Sequence, residues 1–220
     1  MITKAYTDFF TELNANNNKE WFHANKKRYE NDVKAPFLKL LSELLATLHK
    51  WDDRILDDEK KALFRINRDV RFSKDKTPYH TILKAGFSPN GKKSMLPGYY
   101  LGISADTIHV GGGMFNVKPP ELNAVRSLIA DKSKDFLKIV HTKEFKGILG
   151  GLKGEVSKRI DKKHMAIAEK TDLIYNKQFY AMSEMPLIKY YNSANLKTEI
   201  LKHFEAIKPL NEFLNGAFHV

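Results

Sequence analysis

Leu63-Phe64-Arg65-Ile66-Asn67-Arg68-Asp69-Val70-Arg71-Phe72-Ser73-Lys74-Asp75-Lys76-Thr77-Pro78-Tyr79 is the stretch that any fold for this chain must accommodate. Phe64, Ile66, Val70 and Phe72 stand at alternating positions, the period of a strand with one buried face. Arg65, Asn67, Asp69, Arg71 and Ser73 then share the opposite face. Fixed on a rigid ribbon, that polar and cationic row is what an anion site requires, and also what a solvated sheet face looks like. Pro78 cannot donate to a central ladder, so Ser73 to His80 is expected to be a loop.

Working outward, Ile82–Phe87 reads as a second strand. Gly98–Ser104 and Thr107–Phe115 read as a hairpin turning at Ala105-Asp106. Strands following one another without helices between them predict an antiparallel meander. On the N-terminal side, Phe9, Phe10 and Leu13 mark a short helix. Asn17 or Asn18 can cap the next helix, which carries Trp21, Phe22, Tyr29 and Val33. Phe37, Leu40, Leu41, Leu44, Leu45 and Leu48 make the clearest amphipathic helix. On the C-terminal side, helices are expected from Pro119-Pro120 and from Ser133, and a late strand over 177–183. A helix over Asn195–Ile207 is expected to stop at Pro209, with a last apolar helix beyond it. The expectation is one α+β domain over 1–220: a helical part (1–51), a mainly antiparallel sheet (63–115 plus the late strand), and a mainly helical part (119–220). The terminal helices cover the sheet.

The formal charge is +11 over 220 residues. It is concentrated: residues 60–93 hold ten Lys/Arg against two Asp/Glu, whereas residues 1–59 hold nine against eleven. A focused basic region attracts anions and suggests a phosphate-containing ligand or nucleic acid. No apolar run is long enough to span a bilayer, so no membrane partner is expected. Asp8 and Glu12 come too early for a signal peptide. Zero cysteines fits a reducing compartment, and a cytoplasmic location is expected.

Arg68 falls on the apolar parity, between Ile66 and Val70, where a guanidinium needs a partner. Asp75 can fold back from the loop to meet it, either as an ion pair pinning the loop or as part of a ligand clamp. Arg65 and Arg71 stand roughly 20 Å apart along a strand and cannot grip one phosphate. Arg71 and Lys76 can serve one anion with Lys84 or His109, or the charges track a polyanion. Asn67 can orient hydroxyls. Tyr79, Tyr99 and Tyr100 can stack bases, although tyrosine in a strand is commonly sheet cover. For acid–base chemistry on a phosphorylated or acidic substrate the candidates are Asp69 and Asp75, with His80 or His109 behind them. A protein-interaction surface without a small-molecule site is the remaining alternative. Gly86 to Ser94 misses the phosphate-loop pattern, because Lys93 replaces the hydroxyl residue and Pro97-Gly98 prevents the following helix. Gly111-Gly112-Gly113 permits close backbone approach. The eight histidines lack helical ligand spacing, so neither a metal nor a cofactor is expected.

Several blocks together are similar to a known family. They are Phe10-x-x-Leu13, Asn16-Asn17 and Trp21-Phe22, then Arg65-x-x-Arg68-Asp69-x-Arg71-Phe72-Ser73-x-Asp75-Lys76-x-Pro78-Tyr79. Gly98-Tyr99-Tyr100, the glycine triplet before Pro119, Leu122 and Arg126, and Pro209-Leu210-x-x-Phe213-Leu214 continue the likeness. The chain resembles the conserved hypothetical proteins catalogued as domain of unknown function 2461, found in bacteria and fungi. Met114-Phe115 departs from its pattern, which has an aromatic nearer the proline. The resemblance implies one α+β domain of about this length and carries no activity with it.

Overall fold

A computed structural model describes residues 1–92 and 94–218. The fold is α+β, a single domain built on one antiparallel sheet of four strands in the order β1-β2-β3-β4. The strands are β1 (Ile82–Phe87), β2 (Gly98–Ser104), β3 (Thr107–Met114) and β4 (Phe179–Pro186). Within it the chain divides into two compact units: Met1–Lys93 with Tyr100–His109 and Glu184–Leu201, and Ser94–Tyr99 with Val110–Ser183 and Lys202–Val220.

In the first unit, α1 (Lys4–Ala15) buries Tyr6, Phe9, Phe10 and Leu13, and the Tyr6 hydroxyl donates to the Ile103 carbonyl at 2.8 Å. Asn18 caps α2 (Lys19–Ala24) by accepting from the Trp21 amide at 2.8 Å. A turn, α3 (Lys26–Arg28), leads into a π-helix, Tyr29–Lys34, and then α4 (Ala35–Trp51). The wide π turns lie immediately before Pro36, whose ring would clash with the Asp32 carbonyl in a regular helix. The amphipathic repeat of α4 is buried along one stripe, Phe37, Leu41, Leu44, Leu45 and Leu48, and α4 packs on β1. A short helix, α5 (Glu59–Ala62), capped by Asp58, precedes the basic stretch.

That stretch corrects the expectation of a strand over Phe64–Phe72. It makes isolated antiparallel bridges only, Leu63 with Ala85 and Asn67 with Tyr79. The Phe64 amide donates to Lys84, His80 to Ile66 and Arg68 to Pro78, each at 2.8 Å. Beyond Arg68 the chain leaves the sheet as an arm whose tip is 69–76. Of the four alternating apolar residues only Ile66 is buried, while Phe72 is 97% exposed. Side chains capture the amides a ladder would need: Asp69 Oδ1 accepts from Arg71 N at 3.3 Å, and Asp75 Oδ1 from Thr77 N at 2.9 Å. Pro78 removes one more donor. Local polar chemistry outweighed the alternation.

In the second unit, α6 (Pro119–Asp131), α7 (Ser133–Val140) and α8 (Lys143–Leu149) bury Val125, Ile129, Phe136, Val140, Phe145 and Leu149. A short helix, α9 (Met165–Ala168), lies between them and β4. The glycine triplet is a crowded strand crossing. A Cβ on Gly111 would sit 2.0 Å from the Ala181 carbonyl oxygen, and one on Gly112 2.3 Å from that of Gly98. The expected helix stop at Pro209 is also corrected, because α10 (Asn195–Asn215) runs through it. Losing one backbone bond costs ~3 kcal/mol or more. Continuing the stripe buries Leu210 and Leu214 after Phe204 and Ile207, each worth ~1.5–3 kcal/mol.

Candidate functional site

The first unit holds an open groove of about 470 Å³ between the Phe22–Lys34 segment and residues 63–67. Its floor is aromatic. Tyr79 is only 4% exposed and stacks on Phe22 with centroids 4.0 Å apart at 15°. Asn17 grips the Tyr79 backbone from both sides, donating to its carbonyl at 2.9 Å and accepting from its amide at 3.1 Å. The walls carry His23, Lys26, Lys34, Arg65 and Lys92, with Glu30 the one carboxylate among the lining residues. Glu30 is already engaged by Lys34 at 2.8 Å. The Lys92 ammonium donates to the Leu63 carbonyl and lies 5.8 Å from the Phe64 ring centroid. Among the described residues, Arg65 and Lys26 make no hydrogen bond or ion pair through their side chains.

Beside the arm's base a second cationic group forms. His80 Nδ1 is 3.5 Å from Lys84 Nζ. Burial first, then the charges of Lys84, Arg68 and Arg65, push the His80 imidazole down to about 4. Lys84 is lowered too, by burial and then by Arg68. Neutral His80 and a destabilised Lys84 ammonium therefore share a half-buried place where added negative charge is favourable.

The remaining predicted residues separate. Arg68 does meet Asp75, Nη1 to Oδ2 at 2.5 Å, and also reaches the Thr77 carbonyl at 3.1 Å and the Thr77 hydroxyl. Asp75 is held down to about 2 by the Thr77 amide and hydroxyl and then by Arg68. This contact pins the arm. Arg71 sits at the tip, in a two-point contact with Asp69 at 3.0 and 2.7 Å that lowers the Asp69 carboxyl. Lys76 donates to the Val70 carbonyl at 2.9 Å. Arg71 and Lys76 are thus tied within the tip, whereas Lys84 is half-buried beside His80. His109 lies elsewhere on the sheet, 3.3 Å from Glu184. Asn67 and Arg65 line the groove. Tyr99 is buried against Phe204 and presents no open face for a base, whereas Tyr100 is half-buried, with its hydroxyl pushed up to about 12 by burial. Lys93 lies outside the described residues.

Sequence reasoning missed His23, Lys26, Lys34 and Lys92. The first three belong to a segment whose apolar residues marked it as core. Only the run Lys26-Lys27-Arg28 hinted at a basic face, and the π turns that splay it have no sequence period.

The block from Arg65 to Tyr79 is therefore one structural device, an arm whose base lines a groove. Residues 5–213 match the sequence model of the family described as Conserved hypothetical protein (DUF2461). The chain belongs to that family. The match takes in the groove and the arm within one continuous span. No curated protein matches the chain. For this family member the second unit adds a contrasting arginine. Arg126 is 6% exposed, and its Nη2 donates to Ser157 Oγ at 2.9 Å and to the Tyr175 and Asn176 carbonyls at 3.2 Å each. Among the described residues no helix is long and apolar enough to cross a membrane, and no three metal-ligating side chains converge.

Proposed function

We propose that this family member binds a phosphate-bearing ligand in the groove, with Arg65 as the principal anion contact. The observation that carries this is the excess of cations over carboxylates: Arg65 and Lys26 unpaired, and Glu30 spent on Lys34. An exposed ion pair is worth only about 0–1 kcal/mol, so folding does not require this row of charge. A groove of this size accommodates a small phosphorylated molecule or part of a polymer. The π-helix along its wall adds support, since such turns are frequent at functional sites. His80 and Lys84, coupled electrostatically to Arg65 or Arg68, extend the field that an anion meets.

Binding is favoured over acid–base catalysis by the state of the two carboxylates. Asp69 is held ionised chiefly by Arg71, and Asp75 by the Thr77 amide and hydroxyl and then Arg68; a base held to about 2 takes up a proton poorly at neutral pH. The cysteine-free composition supports a reducing, cytoplasmic setting.

Calorimetry with pyrophosphate and with a nucleoside triphosphate at low ionic strength tests this. The wild type is expected to bind. Arg65→Ala is expected to weaken binding ~10-fold or more, the worth of one charge-assisted hydrogen bond. Its Tm should stay within the range of a surface substitution. No binding by the wild type, or an unchanged affinity in Arg65→Ala, overturns the proposal.

A further inference from the structure

Phe72 is the most exposed large apolar side chain among the described residues, at 97%. Burying a ring of this size against a partner is favourable, so leaving it in water forgoes that gain. Nor does it sit on loose chain. The tip is closed by Asp69 with Arg71, by Lys76 on the Val70 carbonyl, and by the Arg68–Asp75–Thr77 network at its neck. Arg71 Cζ stands 5.8 Å from the Phe72 ring centroid, which orients the ring. A pre-ordered aromatic spends little further entropy on binding.

The chemistry around the ring selects the partner. Arg71 lies beside it, Lys74 and Lys76 follow two and four residues on in the sequence, and the tip's two carboxylates are paired with Arg71 and Arg68. The arm springs from Asn67, which lines the groove, but Phe72 itself lies outside the groove lining. Because Arg65 lines the groove and Phe72 does not, a ligand that meets both must extend out of the groove along the arm. A single small phosphate cannot. A polyanion with flat apolar faces can, and that describes a nucleic-acid strand with unpaired bases. An anionic membrane fits less well. Among the described residues Phe72 has no exposed large apolar neighbour in the chain to insert with it.

We infer that the ligand of the groove is single-stranded nucleic acid, with phosphates along Arg65 and the arm's cations and a base stacked on Phe72. This rests on the groove reading above and adds the polymer and the stacking platform to it. Successive phosphates neutralise cations that no single small anion reaches, so affinity falls steeply with salt. Stacking on an aromatic is tolerant of base identity, so little sequence preference is expected.

The test is fluorescence anisotropy with labelled 12-nucleotide RNA and DNA single strands at 50 and 200 mM salt. Wild type, Arg65→Ala, Phe72→Ala and Phe72→Tyr are compared, and pyrophosphate calorimetry is run on the same preparations. Phe72→Ala is expected to bind the strands ~10-fold more weakly, the loss of one stacked base. Phe72→Tyr keeps the ring and stays within about twofold of wild type. Pyrophosphate affinity and Tm stay unchanged in both, because the ring touches neither groove nor core. An unchanged strand affinity in Phe72→Ala overturns the inference, and so does a wild type that binds pyrophosphate but no strand. Both of those results leave the groove standing; loss of pyrophosphate and strand binding together removes the groove as well. Phosphatidylserine vesicles retained by wild type and lost by Phe72→Ala, without strand binding, assign the tip to membranes instead.

Discussion

Arg65 and Arg126 both lack a carboxylate partner among the described residues, yet their surroundings are opposite. Arg126 is buried, and neutral acceptors close around it: a serine hydroxyl from one loop and two carbonyls from the turn before β4. Burial lowers its affinity for its proton, but a guanidinium remains charged at any ordinary pH. The charge therefore organises polypeptide around itself. Arg65 is exposed at a groove wall with no hydrogen-bond acceptor among the described residues, and its charge acts only at longer range, on Asp69 and His80. The Nη2 of Arg126 is supplied with acceptors while its Nε stays buried without one among the described residues, so Arg126 is held by enclosure, whereas a cation the fold leaves open is available to a ligand. Residue type is the same in the two cases, so the difference lies in which acceptors the fold delivers.

The largest expected effect breaks the structural half of this contrast. Arg126→Ala strands the Ser157 hydroxyl and two carbonyls around a cavity and should cost about 2–4 kcal/mol, read as a fall in the denaturation midpoint. Arg126→Lys should recover part of it. Arg65→Ala should shift stability by no more than about 0.5 kcal/mol while losing affinity for pyrophosphate. If Arg65→Ala proves as destabilising as Arg126→Ala, the two arginines are alike and the contrast fails.

A smaller effect concerns His80. Its folded value of about 4 lies below the ordinary 6.5, so the folded state favours the neutral ring. As pH falls from 6.5 towards 4 the unfolded chain takes up a proton that the folded chain refuses, and stability declines over that window. His80→Gln should flatten the decline. An anion bound near Arg65 should raise the His80 value by on the order of one unit, followed by NMR titration with and without pyrophosphate. An unmoved titration would put the anion elsewhere in the groove.

The subtlest test sharpens the anchoring of the arm. Asp75 is depressed to about 2 from 3.8, so its contribution is complete above 3.8 and is lost as pH falls from about 4 towards 2. Protection of the Thr77 amide, taken relative to its intrinsic exchange rate at each pH, should fall across that range in the wild type. In Asp75→Asn protection should be low and independent of pH over the same range, because the charge that accepts from the Thr77 amide is gone.

Much of this was legible beforehand. The strand at 82–87, the hairpin at 105–106 and the helix over Phe37–Leu48 each follow from periodicity backed by a buried face. The Arg68–Asp75 contact followed from parity, since a cation placed inward needs a partner within reach. The arm was not legible. Phe64, Ile66, Val70 and Phe72 carry the strand period, but alternation states only that a face can be buried, not that another surface arrives to bury it. At Val70 the cover is partial and at Phe72 there is none, and the carboxylates of Asp69 and Asp75 take the amides first. The groove was hidden for a related reason, because His23, Lys26 and Lys34 reach Arg65 only after some forty residues of intervening chain have folded.

Sequence by itself determined the composition-level facts and the local ones: an α+β class, a basic middle, which helices have apolar stripes, and an inward arginine in want of an acid. Tertiary structure alone decided which cations stay open and which aromatic faces water. Periodicity and charge are properties of neighbours along the chain, whereas pairing and exposure depend on segments far apart in it, whose meeting no local pattern encodes.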